Sequence, residues 1–220
     1  MGSMITLTAG DGHVLDAYVA EPSGNARASV IIIQEIFGLN EHMKAVTDKF
    51  AANGYLSVCP ALFDRIEGGV EIPYNDVSKG REIIGKITDD MVEKDINTAA
   101  DYCRRAGKVG VIGYCWGGAM AFLAACKVNL DCGVSYYGTR ITQYSPIMKP
   151  KVPFQHHYGE ADISFPMDAV EKVMAEQPEA EHFVYPGAGH GFSCDARPEY
   201  NVDATIQAQE RTLTFLESYL

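Results

Sequence analysis

Positive charge is scarce in this chain. Its 220 residues carry 18 Lys and Arg against 29 Asp and Glu, a formal net charge of −11 at pH 7 and a sequence pI near 4.9. That balance argues against nucleic acid or an anionic membrane surface as a partner, because like charge repels at long range. A small anionic substrate would need a local cationic pocket. No apolar run approaches the roughly 18 residues of a membrane-spanning helix, and no basic-then-apolar leader opens the chain, so a cytoplasmic location is expected. The six cysteines (Cys59, Cys103, Cys115, Cys126, Cys132, Cys194) lack paired spacing and form no Cys-x-x-Cys. A disulfide framework and a zinc cluster are therefore not expected, and neither is any other metal or cofactor. Repeats, linkers and low-complexity segments are absent as well. Residues 4–220 are expected to form one domain, with residues 1–3 read as a cloning scar before a natural Met4. At 47% apolar and 21% charged residues the composition supports one substantial core.

The patterning that is present alternates strands with helices. Met4–Thr8 and Val14–Ala20 flank Gly10-Asp11-Gly12 and read as a β-hairpin. Ser29–Gln34 is a continuous apolar run suited to a strand buried on both faces. Glu41–Ala52 reads as a helix stopped by Asn53-Gly54, followed by a strand over Tyr55–Cys59 and an excursion without clear period over residues 61–76. Further helices are predicted over Asp89–Arg105, Ala119–Ala125, Pro166–Ala175 and Ala204–Leu220, the last with Ile206, Leu213, Leu216 and Leu220 as its apolar stripe. Strands are predicted over Val109–Gly113, Cys132–Tyr137, Val152–Tyr158 and His182–Tyr185. This order implies an α/β fold, with a mostly parallel central sheet of about seven or eight strands covered by helices on both faces.

Residues 108–118, Lys-Val-Gly-Val-Ile-Gly-Tyr-Cys-Trp-Gly-Gly, form the most informative segment. A β-branched strand runs into a glycine-rich turn and then a helix, as in a nucleophile elbow with cysteine in the position serine usually takes. Gly113 and Gly117 leave room where strand and helix cross, and Cys115 stands at a helix N-terminus, which favours a thiolate. A merely buried cysteine in a βα turn fits the same local pattern.

A cysteine nucleophile needs a base and an acid that orients the base. Later strand ends offer both in the expected chain order. Asp162 follows one predicted strand in Gly159-Glu160-Ala161-Asp162, and His190 follows the last in Gly187-Ala188-Gly189-His190-Gly191. A loop aspartate before a helix is also an ordinary turn or capping residue, and Ser164 could cap that helix instead. His13, His42 and His182 read as surface residues, His156-His157 as a pair near a strand end without catalytic context, and the other cysteines as small hydrophobes. An oxyanion hole would draw on the backbone N–H groups of Trp116 and Ile36. That places Glu35 at the edge of the site, where its charge must be neutral, paired or movable.

In these residues the chain resembles the dienelactone hydrolase (carboxymethylenebutenolidase) family of α/β-hydrolases, and the likeness extends over almost its whole length. The similarity rests on Gln34-Glu35-Ile36-Phe37-Gly38-Leu39-Asn40, Gly113-Tyr114-Cys115-Trp116-Gly117-Gly118, Tyr136-Tyr137-Gly138, Gly159-Glu160-Ala161-Asp162 with Pro166, and Gly189-His190-Gly191-Phe192. The resemblance implies an α/β-hydrolase fold and a Cys115–His190–Asp162 triad. It also implies that Glu35 holds the resting cysteine and moves when substrate arrives. In well-known members arginines bind the carboxylate of the dienelactone, and Arg81 lies in about the corresponding segment. Arg197, in Ala196-Arg197-Pro198, matches a pattern of the wider family and reads as structural or rim-lining. Trp116 is bulkier than the leucine of the chlorocatechol-pathway type, which bears on the substrate and leaves the reaction class intact.

The expected reaction is attack of the Cys115 thiolate on an ester or lactone carbonyl, with a thioester intermediate hydrolysed by a His190-activated water. Thiolate is itself a good leaving group, so an enol lactone or aryl ester suits this chemistry and an unactivated amide does not. Tyr136, Phe37 and Trp116 are expected to line a cleft for a small, flat, partly apolar substrate. The alternatives are a general carboxylesterase or thioesterase on the same triad, and a catalytically idle ligand-binding or thiol-sensing protein. The expected partner is a small ester or lactone, with the chain a monomer or small homo-oligomer.

Overall fold

The parallel heart of the molecule follows from strands with no polar face. In a computed structural model, which describes residues 2–220, every residue of β3 (Ala28–Ile33), β4 (Tyr55–Pro60) and β5 (Val109–Tyr114) is buried. Successive side chains alternate between faces, so both faces of the sheet are covered. Among the described residues the sheet has eight strands, within the expected seven or eight, and their order is β1-β2-β4-β3-β5-β6-β7-β8. β1 (Ser3–Thr8) and β2 (Val14–Ala20) form the antiparallel hairpin, and β2 pairs antiparallel with β4. The remaining pairings, through β6 (Cys132–Tyr136), β7 (Phe154–Gly159) and β8 (Glu181–Tyr185), are parallel. Met1 of the expected cloning scar lies outside the described residues, and Ser3 opens β1.

β3 has β4 on one side and β5 on the other. The chain thus reverses its direction of winding there, and a crevice opens at the carboxyl ends of β3 and β5. α1 (Glu41–Ala52) begins at Asn40, whose side chain accepts from the Met43 amide, and ends at Gly54 with φ +93°. α3 (Asp89–Cys103) is capped in the same way by Thr88. α4 (Trp116–Lys127) is buried on all sides except at Lys127, which explains its lack of an amphipathic pattern.

Two helices escape the periodicity reading. α2 (Val77–Ile84) falls where no element was predicted. It spans eight residues and carries Gly80 in its interior, a poor helix former on propensity. A Cβ at Gly80 would collide with the Ile36 carbonyl, so this glycine lets α2 lie directly on the loop after β3. α5 (Ile141–Tyr144) is a single turn. α6 (Met167–Glu176) matches its expected position closely. α7 (Val202–Tyr219) buries Ala204, Ala208, Thr212, Phe215 and Leu216, whereas Ile206 is half exposed. Of the expected stripe Leu216 is buried and Leu213 and Leu220 pack against the core, and only Ile206 falls outside it, because Ala204 and Ala208 fill the first two turns of the buried face.

Candidate active site

Cys115 sits between β5 and α4 with φ 55° and ψ −120°, a backbone conformation that costs an L-residue on the order of 1–3 kcal/mol and must be held by its surroundings. Two hydrogen bonds hold it: the Cys115 amide donates to the Tyr136 carbonyl at 3.0 Å, and the Gly118 amide donates to the Cys115 carbonyl at 2.9 Å. A Cβ on Gly113 would strike the Gly117 carbonyl, and one on Gly117 would strike the carbonyls of Ile33 and Gln34. The two glycines are thus where α4 presses against β5 and β3.

The carboxyl ends of β7 and β8 bring the other groups to this turn. The Glu160 amide donates to the Tyr185 carbonyl and the Ala161 amide to the Ala188 carbonyl, tying the two loops together. His190 Nδ1 lies 2.8 Å from Asp162 Oδ2, and His190 Nε2 lies 3.0 Å from Cys115 Sγ. Asp162 Oδ1 accepts from the Ser164 and Phe165 amides at 2.7 and 3.0 Å. Asp162 is therefore both the turn residue and the partner of the histidine, one oxygen for each. Ser164 does not cap α6, whose N-cap is Pro166 without a side-chain cap, since the Asp162 turn already organises that loop.

Burial opposes a charged imidazole, but the Cys115 sulfur and the Asp162 carboxylate outweigh it and raise the His190 pKa to about 10. A protonated ring donates through Nδ1 to Asp162 and through Nε2 to sulfur. Tyr137, at φ 41°, presents its ring edge to His190 with centroids 5.2 Å apart.

Glu35 is 1% exposed, and neither carboxyl oxygen has a hydrogen-bond partner among the described residues. Its countercharge is Arg197, whose Nη1 lies 3.8 Å from Oε1, too long for a hydrogen bond but within Coulombic reach. Burial works against the Arg197 charge, yet Glu35 and then Glu199 raise its pKa. The residue read as structural or rim-lining from sequence is thus the electrostatic partner of Glu35. Only the local pattern around Arg197 marked it, because pairing across more than 160 residues leaves no periodic signature.

A cavity of about 610 Å³ opens over these groups. Cys115, Trp116 and His190 line it with Ile36 and Phe37 from the loop after β3 and Arg81 from α2. Among the described residues the Trp116 and Ile36 amides donate to no backbone acceptor. Tyr136, expected in the cleft, is elsewhere. It pairs with Tyr114 in the β5–β6 ladder, and its hydroxyl meets Thr212 Oγ1 of α7 at 2.7 Å. Alternation along β6 turns it away, and Tyr137 is the aromatic that reaches the histidine. Replacing Tyr136 with Phe should leave kcat/KM within about twofold while lowering stability by about 1 kcal/mol, the worth of one buried hydrogen bond, as urea unfolding would measure.

Three other histidines, His13, His42 and His182, differ from their reading as surface residues. His156 and His157 are fully buried within β7, and burial lowers the pKa of both rings. His182 stacks on His156 at 4.9 Å instead of standing at the surface, and His13 and His42 are half-buried. No helix is long and apolar enough to cross a membrane, and no group of metal-ligating side chains occurs among the described residues.

Comparison with known proteins bears on this geometry. The sequence model of the dienelactone hydrolase family matches residues 15–220. A carboxymethylenebutenolidase from Pseudomonas putida is 33% identical over 224 residues, covering 96% of this chain and 94% of the relative. A crystal structure from Klebsiella pneumoniae, provisionally named a dienelactone hydrolase, superposes with a TM-score of 0.84 at 27% identity, over 99% of this chain and all of that one. A dienelactone hydrolase-like promiscuous phosphotriesterase from metagenomic libraries shares the fold at 17% identity and a TM-score of 0.77, covering 99% and 98% of the two chains.

Proposed function

The chain belongs to the dienelactone hydrolase family of α/β-hydrolases, and from that premise we propose that it opens ester or lactone bonds through Cys115 and a thioester acyl-enzyme. The observation that carries this reading is the unbroken line Asp162–His190–Cys115, at 2.8 and 3.0 Å, beneath the cavity.

In the first half-reaction the Cys115 sulfur adds to the acyl carbon, and the Trp116 and Ile36 amides stabilise the oxyanion. One such donor is worth roughly 3 kcal/mol of transition-state stabilisation. The tetrahedral adduct collapses by breaking the carbon–oxygen bond, and His190 Nε2 gives its proton to the departing oxygen. In the second half, His190 takes a proton from water as the water adds to the thioester, and the acid leaves as sulfur is released. Because thiolate competes as a leaving group, forward collapse is favoured by an enol or aryloxide leaving group. This chemistry points to lactones and activated esters over peptides.

Glu35 has a role in the same reading. A buried carboxylate with no hydrogen bond and a countercharge at 3.8 Å is weakly anchored. Here Cys115 Sγ faces His190 and Glu35 faces Arg197, the arrangement of a carboxylate turned away from the thiol. We assign Glu35 to meeting the cysteine in a second, resting arrangement and swinging away on substrate entry, which removes negative charge from beside the oxyanion. Arg81 is assigned to a substrate carboxylate. The idle-binder alternative receives less support, since it gives the buried His190–Asp162 pair no task.

The test is covalent. Acid quench within the first turnover of p-nitrophenyl acetate, followed by peptide mass mapping, should find one acetyl group on the Cys115 peptide. An acetyl group confined to any other residue would remove cysteine as the nucleophile.

A further inference from the structure

The chain has eight arginines, and six of them are engaged. Arg27 meets Glu217, Arg65 meets Asp95, Arg105 meets Glu21 and Arg197 meets Glu35. Arg104 donates to the Asn129 carbonyl, and Arg211 lies over the Phe183 ring. Among the described residues Arg81 and Arg140 have neither a salt bridge nor a side-chain hydrogen bond, and both line the catalytic cavity. Arg197 lines it too, whereas no aspartate or glutamate does. In a chain of net charge −11, a cavity bordered by three arginines and, among the described residues, no aspartate or glutamate is a local inversion of sign.

The three charges are not equivalent. Arg197 is balanced by Glu35 and Glu199. Arg81 and Arg140 leave two positive charges uncompensated, and they come from separate elements, α2 and the turn between β6 and α5. Arg140 lies three residues after Tyr137, whose ring packs against His190, and it lines the same cavity as Cys115 and His190. Its turn is fastened by fully buried Ile141 and by the Gln143 amide donating to the Arg140 carbonyl at 3.0 Å. A cation held by a pinned backbone with no protein partner is preorganised for an anion.

We propose that Arg140 determines specificity by binding a second anionic group, so that the preferred substrate is an ester or lactone bearing two carboxylates. One carboxylate would satisfy Arg81 and leave Arg140 unpaired; two use both charges, and 610 Å³ holds a substrate with separated acids. This inference rests on the acyl-transfer reading of the cavity for its kinetics, though not for its binding.

Three p-nitrophenyl esters separate the charges: butyrate with none free, glutarate with one, and tricarballylate with two. The dianionic ester should exceed the monoanionic one in kcat/KM by at least about tenfold at low salt, the range of a charge-assisted hydrogen bond. The advantage should shrink in 1 M NaCl. Arg140→Met should erase the ratio, and Arg140→Lys should retain part of it, which a merely structural arginine would not do. Equal rates for the two charged esters, or a ratio unmoved in Arg140→Met, would overturn the proposal. Calorimetric binding of glutarate against butyrate reads the same site without turnover. If no ester is hydrolysed yet glutarate binds tenfold tighter in an Arg140-dependent way, the acyl-transfer reading falls and this one stands. If glutarate shows no preference either, both fall.

Discussion

Replacing Cys115 with alanine is expected to lower kcat/KM for an activated ester by at least roughly four orders of magnitude. The sulfur is the atom the histidine addresses, at 3.0 Å, and the oxyanion amides and cavity alone supply only residual catalysis. The fold should survive. Alanine at φ 55° is no more strained than cysteine, and the two hydrogen bonds that hold the turn are made by backbone atoms. Circular dichroism and the melting temperature are therefore expected to change little. His190 should report the loss directly. Its pKa stands near 10 because the sulfur and Asp162 together overcome burial, so without sulfur the balance moves towards burial and the ring titrates at lower pH. Serine at the same position should fall between, since a hydroxyl must be deprotonated during attack. Activity of the alanine variant within tenfold of the parent would remove Cys115 from the chemistry.

The parts of the site legible in sequence were those whose chemistry leaves a short local mark. Gly113 announces the elbow because a Cβ there would meet the Gly117 carbonyl only four residues on, and Gly117 is legible through the same short glycine pattern although its own neighbours are the distant Ile33 and Gln34 carbonyls. Asp162 and His190 were visible because each directly follows a strand, and parallel strands deliver such loops to one edge. Both-face burial of β3 likewise reads straight from its apolar run. What was not legible depends on long-range packing. α2 was hidden by Gly80, whose reason lies in the Ile36 carbonyl far away in sequence. Tyr136 and Tyr137 are adjacent aromatics, and only the strand's phase decides which one faces the histidine. The division of Asp162 between turn and histidine follows from having two oxygens, and residue type alone cannot show that both are used. The pairing of Arg197 with Glu35 belongs to the same class: that Glu35 must be neutral, paired or movable was evident, and its partner was not.

The second large effect concerns that divided aspartate. Asp162→Asn is expected to cost on the order of 10³–10⁴ in kcat/KM without disordering the loop. The asparagine carbonyl can still accept from the Ser164 and Phe165 amides, as Oδ1 does now. Its amide must then face His190 Nδ1, and a donor there demands an acceptor on the ring. The histidine would be held with its proton on Nε2 and its lone pair on Nδ1, the wrong tautomer to take a proton from water. Hydrolysis of the thioester should suffer most, so the acyl-enzyme trapped by acid quench should persist over many parent turnover times in this variant. The alkaline limb of the pH profile should move as well. In the parent, His190 loses its proton only as pH rises through about 10, and with it the acid that protonates the leaving group. Removing the Asp162 charge removes one of the two influences that raise this pKa, so the limb must shift to lower pH. An alkaline limb that stayed in place, with rates within tenfold, would mean that Asp162 organises its loop and nothing more.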